Sequence, residues 1–447
     1  MTERGNFGTK IGVILATAGS AVGLGNIWRF PYMTGQDGGA AFIVVYLVCV
    51  FLLGIPGMVA EFVVGRHGAS NAMRAYSRIG GRGWGIVGLV GAFTSMIILG
   101  FYAVIAGWCL QYLMASLFGQ LRGDATYVQQ YFKTFTSDPI QPVVWTVGFI
   151  LLTHLVVIRG VRRGIERFSN MLMPTLFVLL IVIVVASCLL PGAGDGIRFL
   201  FQPDFSKLNQ SVMLDALGQA FFSLSLGTAC LCTYASYFSR QTNLLKSAGQ
   251  IAGLDTLIAI LAGLMIFPAA FSVGVQPDSG PSLIFITLPN VFQQAFSPTL
   301  GYIIGILFYA LLSLAALTST ISMHEIGTAV FFEELHISRK WGAVIETVIC
   351  CIIGVLCSLS CGAVRIEVLG QSFLDFCDFL TSDILLVGGS FVTCILVGWR
   401  VPKRIVLDEI TNWGTLSSRL FPIWYFIIRF VSPTCILLIF LHLMGVI

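Results

Sequence analysis

The sequence predicts an all-α polytopic membrane protein with eleven crossings, from its composition, the spacing of its apolar segments and the placement of its basic residues. Of its 447 residues 57% are hydrophobic and 10% charged, with a mean hydropathy of +0.91. Soluble domains carry about 25% charged residues, so a soluble globular protein is excluded. A crossing needs about 20 apolar residues, and the segments that supply them are Ile11–Met33, Ala40–Val64, Trp84–Phe118, Val143–Ile158, Met171–Leu190, Val212–Phe238, Ile251–Val273, Leu300–Phe332, Trp341–Ser358, Phe373–Gly398 and Ile423–Val446. Threaded alternately from an inner N-terminus, they leave 18 of the 25 Lys and Arg inside, five outside (Arg122, Lys133, Arg198, Lys207, Arg365) and two, Arg29 and Arg429, within spans. The positive-inside rule then places the N-terminus in the cytoplasm and the C-terminus outside. The net charge of +4 follows from that topology and implies no nucleic-acid partner.

Span one contains a conflict. Gly19 to Pro31 reads Gly-Ser-Ala-Val-Gly-Leu-Gly-Asn-Ile-Trp-Arg-Phe-Pro, and three glycines in seven residues weaken a helix in a medium where a freed backbone group costs several kcal/mol. A break there needs a ligand or a partner. Span six repeats the pattern with Phe221-Phe222-Ser223-Leu224-Ser225-Leu226-Gly227-Thr228. Either cluster alone would be ordinary close helix packing; paired, they are the sequence pointer to a transporter's midplane site. Five crossings separate the two, so equivalent units enter the membrane from opposite sides. This predicts one transporter domain over 1–447, with an inverted repeat of 10–190 and 212–398 and an additional helix at 423–446. Gly19, Gly23 and Gly25 are no dinucleotide fingerprint, which must follow a strand and open a soluble helix.

The remaining spans carry scattered chemistry. All twelve cysteines lie in or at the edges of apolar spans as small packing groups, with neither a disulfide framework nor a zinc spacing. His324-Glu325 has Thr328 where a second histidine would be needed, so zinc chemistry is unsupported. The first span lacks a cleavage pattern, so no removable signal peptide is expected. Asp255 is the one charged residue between Lys246 and Asp278. A carboxylate within a span is costly and usually functional, the alternative being a structural hydrogen-bonder.

Gly25-Asn26-Ile27-Trp28-Arg29-Phe30-Pro31 with Gly38-Gly39-Ala40-Ala41-Phe42, Ser225-Leu226-Gly227, Thr233-Tyr234-Ala235-Ser236-Tyr237 and Leu317-Thr318-Ser319 resembles the neurotransmitter:sodium symporter family along nearly the whole chain. The resemblance is to its bacterial eleven-helix amino-acid transporter branch and implies a leucine-transporter-type 5+5 inverted repeat with discontinuous helices one and six. It places substrate between the breaks, near Ala21 and Ser223, with its carboxylate on the freed amides of Leu24 and Gly25. A helix N-terminus suits an anion. Tyr102 matches a tyrosine that donates to that carboxylate, the alternative being a packing tyrosine. Gly23 stands where amine carriers have aspartate, which implies a substrate bringing its own negative charge. Ile98, Phe222, Ser225, Thr228, Ser319, Ser322 and Met323 would surround its apolar part, with Thr228 in place of a phenylalanine and room for a large hydrophobic or aromatic side chain.

By the same resemblance, a first sodium site takes the Ala21 carbonyl, Asn26, both oxygens of Ser223 and, across a one-residue gap, Asp255. A second takes carbonyls of Gly19, Val22 and Ala315 with the hydroxyls of Thr318 and Ser319. Hard cations prefer such oxygen donors. Asp255 would replace the chloride that some relatives require, so chloride is not expected, and it opens proton linkage as the carboxylate titrates. Arg29 and Asp378 match an outer gate with Phe222 as lid; Arg4 and Glu333, with Tyr237, match an inner one, with Phe7 replacing a common tryptophan. Glu61 is expected to bond the unwound part of span six, and Gly164 with Pro174 to let span five unwind.

The resulting expectation is a sodium-coupled symporter, with no covalent chemistry, importing a neutral hydrophobic or aromatic L-amino acid by alternating access. Its setting is a lipid bilayer, the bacterial cytoplasmic membrane, and no obligate protein partner is evident. The alternatives are a carrier of another small zwitterion, a channel, or a non-transporting sensor.

Overall fold

The computed structural model describes residues 9–274, 283–417 and 419–443. Eight of the expected crossings are helices long and apolar enough to span a membrane, at Ala40–Gly68, Arg82–Leu117, Val161–Cys188, Leu244–Ser272, Pro298–Glu334, Arg339–Ser360, Phe373–Arg400 and Phe421–His442. Span four is Gln141–Val157, opened by Pro142 at a position where the missing N–H costs nothing. Spans one and six are the broken ones. The chain is thus all-α and polytopic, apart from a two-residue hairpin pairing Glu367–Val368 with Gln371–Ser372.

In span one, Ile11–Ala21 and Gly25–Gln36 meet at a bend of 55°. Val22 leaves helical geometry at ψ 110°, which frees its carbonyl. Thr9 caps the first half, its side chain accepting from the Gly12 amide, and donates from N and Oγ1 to Glu166 Oε1 at 3.0 and 2.9 Å. The inner end of span one is thereby tied to span five.

Span six is helical over Gln210–Ser223 and Cys230–Ala235. Between them Ser225, Gly227 and Ala229 hold positive φ, at 54°, 81° and 59°. A side chain on Gly227 would strike the Leu386 carbonyl of span ten, so glycine is required there both by the backbone angle and by close approach. The Gly227 amide donates to Glu61 Oε1 at 2.6 Å, a buried carboxyl reaching from span two. Glu61→Ala would leave that amide unpaired at depth and is expected to cost about 2 kcal/mol, whereas Glu61→Gln keeps an acceptor oxygen and should cost less. Thermal unfolding of the two variants in one detergent checks the order.

The start of span five differs from expectation. Span five begins at Val161 instead of Met171, because hydropathy discounts Arg162, Arg163, Glu166 and Arg167, which the helix accommodates at its inner end. That helix is also wound through Gly164 and Pro174, with Pro174 in its interior. Neighbouring helices resupply backbone partners in membranes, which makes such prolines tolerable. Outside the spans, Ala72–Gly80 and Ala125–Ser137 are short amphipathic helices capped by Asn71 and Asp124.

Asp37, just past the outer half of span one, has its carboxyl pushed up to about 7, first by burial and second by the charge of Asp215. The folded chain then holds this proton more tightly than the unfolded one, so stability falls as pH rises from 3.8 towards about 7. Asp37→Asn is therefore expected to raise the unfolding midpoint at pH 8 and to leave it unchanged at pH 4, as measured by thermal denaturation across that range.

Candidate functional site between the broken spans

The two breaks face each other in the core and gather polar groups from six spans. Asn26, directly after the first break, is fully buried. Its Nδ2 donates to Asp255 Oδ1 at 2.7 Å, to the Asp255 carbonyl at 3.2 Å and to Ser223 Oγ at 3.2 Å. Ser223, the last helical residue before the second break, donates to Asp255 Oδ2 at 2.7 Å. Asp255, placed across a one-residue gap, lies beside Asn26 and Ser223. Asp255 is also fully buried, and among the described residues it pairs with no cation. A buried carboxylate held only by neutral donors is a place for a positive ion.

Tyr46 completes this cluster from span two, its hydroxyl lying 3.4 Å from Asp255 Oδ2 and 3.5 Å from Ser223 Oγ. Sequence reasoning missed it. The available signal was a hydroxyl in the middle of an otherwise apolar run, Ala40 to Cys49.

Beside the cluster, Leu24 N donates to Tyr102 Oη at 2.8 Å. The expected pair, a freed amide and a tyrosine hydroxyl, is brought together, with the hydroxyl acting here as acceptor. Gly23 N donates to Asn26 Oδ1 at 3.0 Å. A Cβ on Gly23 would collide with Ser319 Oγ and lie 2.7 Å from Tyr102 Oη, so Gly23, Tyr102 and Ser319 bound one small space. Phe222 closes its outer side: a Cβ on Gly25 would stand 2.9 Å from the Phe222 ring, and the Arg29 guanidinium lies 4.1 Å from the ring's centre. Ala21 and Ile98 are buried nearby in sequence terms, at the end of the first half-helix and on span three.

A second oxygen cluster forms where span one meets span eight. Thr318 Oγ1 and Ser319 Oγ both donate to the freed Val22 carbonyl at 3.2 Å, and Thr318 Oγ1 also to the Ala315 carbonyl at 2.8 Å. Gly19 packs there too, since a Cβ on it would touch Thr318 at 3.4 Å. All five residues assigned to a second cation site are therefore contiguous.

The hydroxyls of other assigned lining residues are bonded within the protein. Ser225 Oγ donates to the Ser20 carbonyl at 3.2 Å, Thr228 Oγ1 to the Ser225 carbonyl at 2.8 Å, and Ser322 Oγ accepts from Tyr234 at 2.8 Å. Their hydroxyls satisfy the unwound backbone and the packing of span six on span eight. Met323 packs on a small cluster with Met96, Leu99, Ala103, Ile150 and Cys350, because helical spacing turns it towards spans three, four and nine.

The outer gate differs from expectation. Among the described residues Arg29 makes no ion pair with Asp378, whose Oδ1 instead accepts from Ser382 at 2.7 Å. Arg29 lines an outer vestibule with Gln219, Phe222 and Asp383, and Asp383 was not anticipated. On the inner side Glu333 Oε2 accepts from Asn71 N at 2.8 Å, while Glu334 pairs with Arg74 at 2.7 Å. Tyr237 donates to Glu325 Oε1 at 2.6 Å, and Glu325 pairs with Arg339. Arg4 and Phe7 lie outside the described residues.

A family model described as the sodium:neurotransmitter symporter family matches residues 4–135 and 133–446. The chain belongs to the sodium:neurotransmitter symporter family. Among its relatives, an uncharacterized sodium-dependent transporter of Bacillus subtilis is 38% identical over 445 residues, covering 98% of this chain and 97% of the relative. A sodium-dependent nutrient amino acid transporter of Drosophila pseudoobscura is 24% identical, covering 99% and 75%. Of solved structures, MhsT in complex with L-phenylalanine superposes with a TM-score of 0.90 at 41% identity, covering 99% of this chain and all of that one. As a symporter of this family the chain is a sodium-dependent transporter embedded in the membrane, and the broken first and sixth spans belong to that architecture.

Proposed function

We propose that this symporter imports a neutral hydrophobic or aromatic L-amino acid, driven by two sodium ions, through alternating access. The observation that carries the reading is the buried Asn26–Ser223–Asp255 cluster set against the Leu24 amide and the Tyr102 hydroxyl. An amino-acid carboxylate accepts from the amide and the hydroxyl, while sodium takes oxygens of Asn26, Ser223, Asp255 and the Ala21 carbonyl and shares that carboxylate. Each ligand then stabilises the other, and the linkage is reciprocal. Asn26 directs its NH₂ at Asp255 and its Oδ1 at Gly23 N, so sodium entry turns this amide over and releases the Gly23 amide towards the substrate. The second sodium takes the carbonyls of Gly19, Val22 and Ala315 with Thr318 and Ser319.

Several features support the finer assignments. MhsT was crystallised with L-phenylalanine, and Thr228, whose hydroxyl folds back on its own backbone, leaves space for a large side chain beside Ile98 and Phe222. Asp255 supplies the negative charge that makes chloride unnecessary. Arg29 with Phe222 forms the outer closure, with Asp383 of span ten lining the same vestibule, and Glu333 with Tyr237 belongs to the inner one. The repeats 10–190 and 212–398, an N-terminus in the cytoplasm and residence in a bacterial cytoplasmic membrane complete the reading.

The test is uptake into proteoliposomes by the whole chain. An inward sodium gradient should concentrate labelled L-phenylalanine or L-leucine above the external level, and a panel of unlabelled amino acids should rank the substrates by competition. Equilibration without concentration would mean a channel; binding without uptake would mean a sensor.

A further inference from the structure

Arg429 lies within span eleven, eight residues past Phe421, which puts its Cα about 12 Å along the helix at 1.5 Å per residue. A guanidinium at that depth is costly unless it meets an anion. Among the described residues it meets none: Arg429 forms no ion pair, and its Nε is screened and without a hydrogen-bond partner. What it touches is aromatic. Its Cζ is 4.4 Å from the centre of the Trp399 ring and 5.5 Å from that of Phe430, and Trp399 Nε1 donates to the Arg429 carbonyl at 2.9 Å. Spans ten and eleven touch at this level, since a Cβ on Gly398 would lie 2.9 Å from Arg429 Cα.

Side chains lean towards a helix's N-terminus, so Arg429 points back to the Phe421 end. Arg400 and Lys403 stand at that same end, with Lys403 Nζ 5.8 and 5.4 Å from the rings of Phe421 and Tyr425. The nearby carboxylates are engaged elsewhere: Glu409 pairs with Arg66 at 2.7 Å and His67 at 3.2 Å, and Asp408 stands 4.0 Å from Arg404. Trp399 and Phe430 are 53% and 45% exposed on the outside of the bundle, facing what surrounds the protein.

We propose that Arg429, Lys403 and Arg400 form a binding site for the phosphate of an anionic phospholipid, whose acyl chains run along Trp399 and Phe430. Ring contacts cover the guanidinium's face and leave N–H donors at its edge for a phosphate oxygen, a geometry that suits arginine better than lysine. Basic groups at helix ends between spans are a recurring recognition device for acidic lipid heads. The site rests on the membrane-spanning fold and not on the sodium-coupled uptake reading, so either can fail alone.

The test compares the full chain with Arg429→Gln and with the double variant Arg400→Gln/Lys403→Gln, whose changes lie at or beyond the helix end and spare the interior of the bundle. Lipid retained by each, titrated with phosphatidylglycerol or phosphatidylcholine, is read by native mass spectrometry. The unaltered chain should retain phosphatidylglycerol in preference, and each neutralised cation should weaken retention about five-fold. Inorganic phosphate should not compete. Equal retention of both lipids by the unaltered chain, retention undiminished in both variants, or displacement by inorganic phosphate would overturn the site. So would a dimer lost in Arg429→Gln whatever the lipid, which would assign the guanidinium to a second copy of this chain.

Discussion

Asp255→Asn is expected to raise the sodium concentration for half-maximal uptake by about two orders of magnitude. The carboxylate is fully buried and held by neutral groups alone, Asn26 at 2.7 Å, Ser223 at 2.7 Å and Tyr46 at 3.4 Å. Asparagine keeps the shape and one oxygen but removes the charge that balances the cation. Losing a charged partner from a buried, hydrogen-bonded site costs about 3 kcal/mol, which is about a hundred-fold in affinity. Because substrate and sodium share the site, amino-acid affinity should fall at limiting sodium and recover at saturating sodium. Replacing chloride by gluconate should leave the unaltered protein unaffected and should depress the variant further, since a free anion can then stand in for the missing carboxylate. Sodium activation that is the same in Asp255→Asn would remove Asp255 from the site, and chloride dependence in the unaltered protein would remove its role as counter-anion.

Gly23→Ala is the second large effect. One added methyl has no room, because its carbon would meet Ser319 Oγ and approach Tyr102 Oη to 2.7 Å. Those hydroxyls bracket the place assigned to the substrate carboxylate, and the Leu24 amide lies alongside at 2.8 Å from Tyr102. The variant should bind amino acid at least about a hundred-fold more weakly, since displaced hydroxyls leave an anion without its donors at a cost of about 3 kcal/mol. The inner half of span one is capped by Thr9, far from this atom, so the unfolding midpoint should move little. Equilibrium binding of labelled amino acid, with unfolding measured on the same sample, distinguishes the two effects. Wild-type affinity in Gly23→Ala would place the carboxylate elsewhere.

Much of the architecture was legible along the chain. The broken spans announced themselves because Gly23, Gly25 and Gly227 contradict the apolar runs that contain them, and because a break in hydrocarbon is intolerable without partners. Asp255 was legible for the same reason, as a charge where solvent cannot reach. Tyr46 was overlooked, since a lone hydroxyl in an apolar run does not say that it will meet a carboxylate on span seven. The outer gate was drawn from matching positions alone, and matching cannot say that Asp378 turns to Ser382 while Arg29 rests on Phe222 and Asp383 lines the vestibule instead. The start of span five was misplaced because hydropathy measures affinity for lipid, whereas a helix can continue through Arg162, Arg163 and Arg167 into water.

Hydropathy, basic-residue placement and glycine spacing are properties of short stretches, and each acts through the local cost of putting a group into lipid. They were enough to establish a helical membrane protein, its number of crossings and the two positions where the backbone must open. Which oxygens converge at those openings depends on side chains from spans one, two, three, six, seven and eight, far apart in sequence, and on rotamers chosen by packing. That convergence belongs to the folded bundle, because a carboxylate 229 residues from an asparagine becomes its neighbour only when the intervening helices have found their own contacts.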